Sequence, residues 1–90
     1  MFQILKDREL APNIFEMIVR APRVAQACLP GQFVIVRCEE DGERIPLTIC
    51  DYDRTEGTIQ IVFQIVGAES YKMAQKKTGD AFADVVGPLG

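Results

Sequence analysis

Ninety residues with 48% hydrophobic and 26% charged side chains describe one ordinary globular domain, neither a disordered segment nor a membrane span. A formal net charge of −3 argues against a phosphate-backbone binder, which would carry a basic stripe, so no nucleic acid partner is expected. The chain has no histidine, which removes the commonest general base and every Ser/His/Asp or Cys/His arrangement and turns any chemistry toward a bound cofactor.

Residues 1–10 mix Lys6, Asp7, Arg8 and Glu9 among apolar side chains, leaving no continuous hydrophobic stretch for a signal peptide or membrane anchor. A cytoplasmic protein is the expectation. Cys28, Cys38 and Cys50 are odd in number, widely spaced and without a C-x-x-C pair. They read as reduced core residues, and neither a zinc nor an iron–sulfur site is expected within these residues.

Taken in order, residues 2–10 form a first strand with Phe2, Ile4 and Leu10 on one parity, and Ala11-Pro12-Asn13 makes a turn. Residues 14–20 form a second strand with Phe15, Met17 and Val19 on one face, which suggests a hairpin with the first. The alanine-rich stretch 22–28 reads as a short turn of helix. Leu29-Pro30-Gly31-Gln32 then turns the chain into residues 33–38, apolar on both faces and so a central strand, followed by an acidic turn around Gly42.

The run Arg44-Ile45-Pro46-Leu47-Thr48-Ile49-Cys50 has two chemically different faces. Ile45, Leu47 and Ile49 point to a core, whereas Arg44, Pro46 and Thr48 point the other way. Pro46 has no N–H for a ladder, which places this strand at an edge, a bulge or an opening. Residues 58–66 alternate most regularly, with Ile59, Ile61, Phe63 and Ile65 inward, and residues 68–77 have helical composition ending at Gly79. Residues 81–86 form a last strand, and Gly87-Pro88-Leu89-Gly90 reads as the start of an interdomain connection. The expected fold is all-β: a six-stranded antiparallel Greek-key barrel with one short helix.

Neither a G-x-G-x-x-G nor a P-loop nor an H-E-x-x-H motif occurs, and the carboxylates of Glu39, Glu40, Asp41, Asp51 and Asp53 fall in solvated turns. No catalytic residue and no metal ligand is assigned. Arg44 has two readings, a grip on a pyrophosphate or a surface ion pair. Ser70 likewise either caps the helix or bonds a phosphate beside its free N–H groups, where the neighbouring Glu69 would repel an anion.

Five ordered motifs resemble a known family. They are Pro30-Gly31-Gln32-Phe33-Val34, Arg44-Ile45-Pro46-Leu47-Thr48-Ile49, Phe63-Gln64-Ile65-Val66-Gly67, Thr78-Gly79-Asp80 and Gly87-Pro88-Leu89-Gly90. Together they span essentially the whole chain and resemble the flavin-binding barrel of the ferredoxin–NAD(P)H reductase superfamily. Within it, the likeness is to the electron-transfer subunits of the dihydroorotate dehydrogenase B and NADH-dependent ferredoxin:NADP oxidoreductase (sulfide dehydrogenase subunit) families.

The resemblance implies that residues 1–90 are an FAD-binding barrel at the N-terminus of a longer reductase. Its NAD(P)H-binding domain and a C-terminal [2Fe–2S] cluster would lie outside this sequence, and the isolated fragment would be inactive. It further implies electron transfer between NAD(P)H and an iron–sulfur protein or centre, with ferredoxin or a larger catalytic subunit as partner. Pro46, Leu47 and Thr48 would line the isoalloxazine and ribityl chain. Ile45 stands where the family places arginine, with Arg44 one position earlier. Phe63, Gln64 and Ile65 would serve the ring edge through their backbone, and Ser70, with Glu69, falls where a Gly-Thr pair meets the phosphates. Two other readings of the residues remain open: a non-enzymatic barrel that binds another protein through the Arg44 face, and a riboflavin-synthase-like ligand-binding barrel.

Overall fold

The computed structural model describes residues 2–90; Met1, the first residue of the N-terminal stretch read above, lies outside the described residues. The elements in chain order are β1 (Phe2–Ala11), β2 (Ile14–Arg20), α1 (Pro22–Ala27), β3 (Phe33–Arg37), β4 (Arg44–Asp53), β5 (Thr58–Gln64), α2 (Ala68–Gln75), β6 (Ala81–Phe82) and β7 (Asp84–Leu89). The sheet order is β6-β1-β2-β5-β4-β3-β7, and every neighbouring pair is antiparallel. Only Ala83 separates β6 from β7, so one bent segment supplies both ends of the sheet, lying on β1 at one end and on β3 at the other. The barrel closes through that bend, which removes the edges an open sheet of this size would expose.

Seven strands stand where six are expected because the last one is broken. At the break the Ala83 N–H leaves the ladder and donates to the carbonyls of Arg37 and Cys38, at 2.9 and 3.2 Å. The strand then continues through Gly87 and Pro88 to Leu89, which pairs with Phe33. These residues are barrel wall and not the connection their composition suggests. The alanine-rich stretch also forms a full helix, α1, with Pro22 in its first turn, where the missing N–H costs nothing.

Alternation explains the core. Met17 and Val19 of β2, Val34 and Val36 of β3, and Ile59, Ile61 and Phe63 of β5 are all buried, and Val24, Ala25, Met73 and Ala74 bring both helices onto the same cluster. In β1 the alternation fails. A register shift between Ile4 and Lys6 reverses the parity, so Ile4 is buried whereas Leu10, assigned to the same face by counting, is exposed. A second shift in β4, between Ile49 and Asp51, leaves Cys50 exposed, in contrast to the buried Cys28 and Cys38. No helix among the described residues is long and apolar enough to cross a membrane.

The segment after α2 is tied back to β1. Thr78 donates from its N–H and its hydroxyl to Asp7 Oδ1, at 2.8 and 2.6 Å. These bonds hold the Asp7 carboxyl below the ordinary value of 3.8, against a smaller opposing effect of burial. Because the folded pKa is depressed, the stabilisation is present above the unfolded value and is lost as pH falls through the folded one. Asp7→Asn should therefore cost about 1 kcal/mol in denaturant melts at neutral pH, with the deficit shrinking as the melts are repeated at pH values progressively below 3.8. Ile61→Ala, at a fully buried position, should cost about 2–5 kcal/mol in the same assay at every pH.

Candidate functional site

The ladder between β4 and β5 covers only part of the two strands. Its registered pairs start at Ile49↔Ile61 and run to Asp53↔Thr58. Before that point, residues 44–48 pair with β3 alone, from Arg37↔Arg44 to Phe33↔Thr48. Beyond it, residues 62–64 pair with β2 alone, ending at Ile14↔Gln64. The two strands thus splay apart, leaving a seam whose lips are residues 44–48 and 62–65.

Alternation determines which backbone groups face the seam. The Ile49 N–H donates to the Gln32 carbonyl on the β3 side at 2.9 Å, so the backbone groups of Pro46 and Thr48 are turned toward β5. Pro46 therefore presents its missing donor to the position where β5 would need one. On the other lip, the Ile65 N–H donates to the Asn13 carbonyl at 2.8 Å on the β2 side, which turns the backbone groups of Gln64 toward β4. Pro46, Thr48 and Gln64 are exposed, so water serves the groups that lie beyond the ladder, and a bound ring with acceptors and donors along its edge can take its place.

The side chains around the seam sort by depth. Ile49, Ile61 and Phe63 are buried beneath it, and Phe63 stacks on Phe15 with ring centroids 5.9 Å apart. Phe63 therefore offers no side chain to the seam. Leu47 and Ile65 are half-buried, as is Ile45, which pattern reading had assigned simply to the core. These three form an apolar wall that is still partly accessible. Its sign in the sequence is the shared parity of Ile45 and Leu47. Pro46, Thr48 and Gln64 are exposed around it.

Arg44 and Ser70 take the other of their two readings. The Arg44 guanidinium leans away from the seam, across β3, to lie 3.4 Å from Asp84 Oδ2. With the Arg44 side chain 54% exposed, that pair is worth about 0–1 kcal/mol, so an incoming phosphate can compete for the cation. The Ser70 hydroxyl accepts from the N–H groups of Val66 and Gly67, at 2.8 and 3.1 Å, and donates to the Gly67 carbonyl at 3.1 Å. One donor and two acceptor positions are thereby filled, and Ser70 is committed to the start of α2. Glu69, in turn, is directed at the turn before β4, where Lys72 lies 3.3 Å from it.

A cleft of about 610 Å³ lies elsewhere, between α1 and β7. Phe2, Ala21, Pro22, Val24, Val85 and Val86 line it together with Arg23 and Gly87, and none of the sequence-predicted site residues does. Its wall is aliphatic with one cation, whereas the seam combines an apolar wall with exposed backbone groups beyond the β4–β5 ladder, the mixture that orients a polar-edged ring. Burial pushes the Cys38 thiol above its ordinary value, so it remains an unreactive part of the core.

No protein-family model matches the chain. Over all 90 residues it is 53% identical to a protein from Clostridium beijerinckii described only as an uncharacterized protein in the adh 3' region, of which it covers 30%. A dihydroorotate dehydrogenase B (NAD(+)) electron transfer subunit homolog from Thermotoga maritima is 42% identical over 88 residues, covering 98% of this chain and 31% of that protein. The corresponding electron transfer subunit of Desulforamulus reducens is 38% identical over 91 residues, 34% of its length. The fold superimposes with a TM-score of 0.97, at 41% identity, on a chain from the structure of an NADH-dependent reduced ferredoxin-NADP oxidoreductase studied for flavin-based electron bifurcation; all of this chain and 33% of that one are covered. The chain thus spans about a third of the length of the relatives it matches. In sequence and in fold alike, the chain is similar to the matching third of these electron-transfer proteins, and its barrel is of the ferredoxin reductase-like type.

Proposed function

We propose that the seam between β4 and β5 receives the isoalloxazine ring of FAD, and that the chain is the flavin-holding domain of an oxidoreductase moving electrons between NAD(P)H and an iron–sulfur protein or centre. The observation that carries this reading is the splay of residues 44–48 from residues 62–65, which leaves backbone groups and an apolar wall side by side. Named relatives that are electron transfer subunits, and a structural neighbour studied for flavin-based electron bifurcation, support it.

The residues fit the group. Leu47, Ile45 and Ile65 provide the apolar contact, with Pro46 and Thr48 on the β4 lip and the backbone of Gln64 on the β5 lip, while the backbone groups of Phe63 and Ile65 face β2. Arg44 provides the cation for a diphosphate once it leaves Asp84. Flavin, when bound, supplies the two-electron to one-electron conversion that no side chain here can perform. The protein's part is to bind and orient: apolar residues exclude water from one side, and backbone groups fix the ring edge without changing protonation.

Ser70 contributes by holding the β5 lip and not by touching phosphate. An NAD(P)H-binding domain and the [2Fe–2S] cluster would lie elsewhere in a longer chain, with a larger catalytic subunit or ferredoxin as the separate electron partner. The ninety residues hold flavin without turnover, in the cytoplasm.

Titration of the purified chain with FAD, followed by quenching of flavin fluorescence, tests the reading. Saturable binding is expected, with Arg44→Ala weakening it about tenfold through the loss of one charge-assisted contact. Thr48→Ala should weaken binding by a smaller factor, and Leu47→Asp should abolish it while the far-ultraviolet circular dichroism is retained. Absence of binding by the parent chain would sink the proposal and favour a protein-binding barrel, and equal affinity for riboflavin and FAD would remove Arg44 from the site. Ser70→Ala should lower stability by about 0.5–2 kcal/mol in denaturant melts, as the loss of a helix cap does.

A further inference from the structure

Two of the structure's less ordinary contacts meet at one place. Among the described residues, the buried side-chain polar atoms without a partner are Arg37 Nε and Glu69 Oε2, and both belong to the surroundings of the turn formed by residues 38–43. A Cβ placed on Gly42 in that turn would lie 3.3 Å from Glu69 Oε2 and 3.3 Å from the backbone N and O of Glu39. On the same turn, Glu39 Oε1 lies 2.8 Å from Lys76 Nζ, whose side chain is only 19% exposed. Lys76, the C-cap of α2, thus ties the helix to this turn, and Glu69 in the first turn of the helix lies beside it.

The turn leads directly into Arg44, the first residue of the β4 lip. α2 itself follows the β5 lip after residues 65–67, and the Ser70 hydroxyl fastens it there by accepting from Val66 and Gly67. We infer that α2 is a staple across the mouth of the seam, joining the β5 lip through Ser70 to the β4 lip through Lys76–Glu39, with Glu69 packed beside Gly42, and so setting how wide the seam stands. Its consequence for flavin rests on the function proposed above, whereas the staple belongs to the fold alone.

The two β4-side contacts differ in strength. Glu69 is held against the turn with one carboxylate oxygen unmet and Lys72, 3.3 Å away, on the other, an arrangement that leaves desolvation uncompensated. Lys76–Glu39 is the better pair, short and shielded on the lysine side, with Asp80 and the Cys38 thiol also facing the ammonium group. The hydrogen bond to Glu39 raises the Lys76 pKa, so the ammonium group stays charged throughout the neutral range. Lys76 and Glu39 act on the seam through the backbone, as positioning residues, and neither touches a ligand.

The test combines amide hydrogen exchange, read by NMR on the ninety-residue chain, with FAD titration of the same samples. In Lys76→Met, exchange at Val66 and Gly67, whose N–H groups are bonded to Ser70, should rise about 2–5-fold, the range of a partly exposed ion pair, while exchange at the core residue Ile61 stays unchanged and reports an intact barrel. FAD affinity should fall by a similar factor. Lys76→Arg should keep the parent behaviour, and the exchanged pair Lys76→Glu with Glu39→Lys should restore it, which a role in packing alone would not do. Unchanged exchange at the lips in Lys76→Met overturns the staple, as does an equal rise in Lys76→Arg. Loosened lips with undiminished FAD affinity overturn the link between seam width and flavin. If the parent chain binds no FAD, the functional reading fails, and the exchange measurements decide the staple without it.

Discussion

Pro46 cannot donate a backbone hydrogen bond, and its place in the alternation of β4 turns that deficit toward β5. From this one constraint much of the molecule's organisation follows. A strand deprived of a donor there gains little by continuing to pair, so β4 and β5 separate beyond Ile49 and Ile61. The side chains flanking the separation then become shallower along each strand: Ile49 is buried and Leu47 half-buried, Phe63 is buried and Ile65 half-buried. A sheet interior gives way over a few residues to a partly accessible apolar surface, with no loop inserted to build it.

Such a surface differs from an active site made of side chains. No acid–base pair converges on the seam, and the groups that face it are backbone dipoles and aliphatic carbon. That composition suits a cofactor that brings its own reactivity and needs to be held, oriented and kept from water. The absence of histidine from the chain agrees with such a division of labour. Among the described residues, Arg44 is paired with the half-buried Asp84 on β7 while its own side chain stays exposed, which keeps the cation available at small cost.

How much of this was legible follows from the range of each interaction. The second and fifth strands could be read from local alternation because β2 and β5 lie in register along their whole length and meet one core. The face of Leu10 could not, since a register shift near Lys6 is set by the neighbouring strand. Residues 51–53 have turn-like composition yet extend β4, because Tyr52 pairs with Ile59 and the Arg54 guanidinium lies over its ring, 4.6 Å from the centroid. At the site, Pro46 marked an opening by itself. Its extent depends on where two strands cease to pair, which no window of adjacent residues records. The commitment of Ser70 to Val66 and Gly67 was legible as one of two alternatives, whereas the path of Arg44 toward Asp84 needed the β4-β3-β7 order.

The bend at Ala83 has a consequence for how the barrel is made. Residues 81 and 82 pair with 3 and 2, and residues 84–89 with β3, so both free flanks of the nascent sheet wait for the same short stretch. During synthesis, β1 and β3 emerge long before their last neighbour and carry unpaired amides until it arrives, which puts a high contact order at the closing step. Until then the chain is an open ribbon with two adhesive borders, and whatever shields it on the ribosome must stay until nearly the whole barrel has been translated.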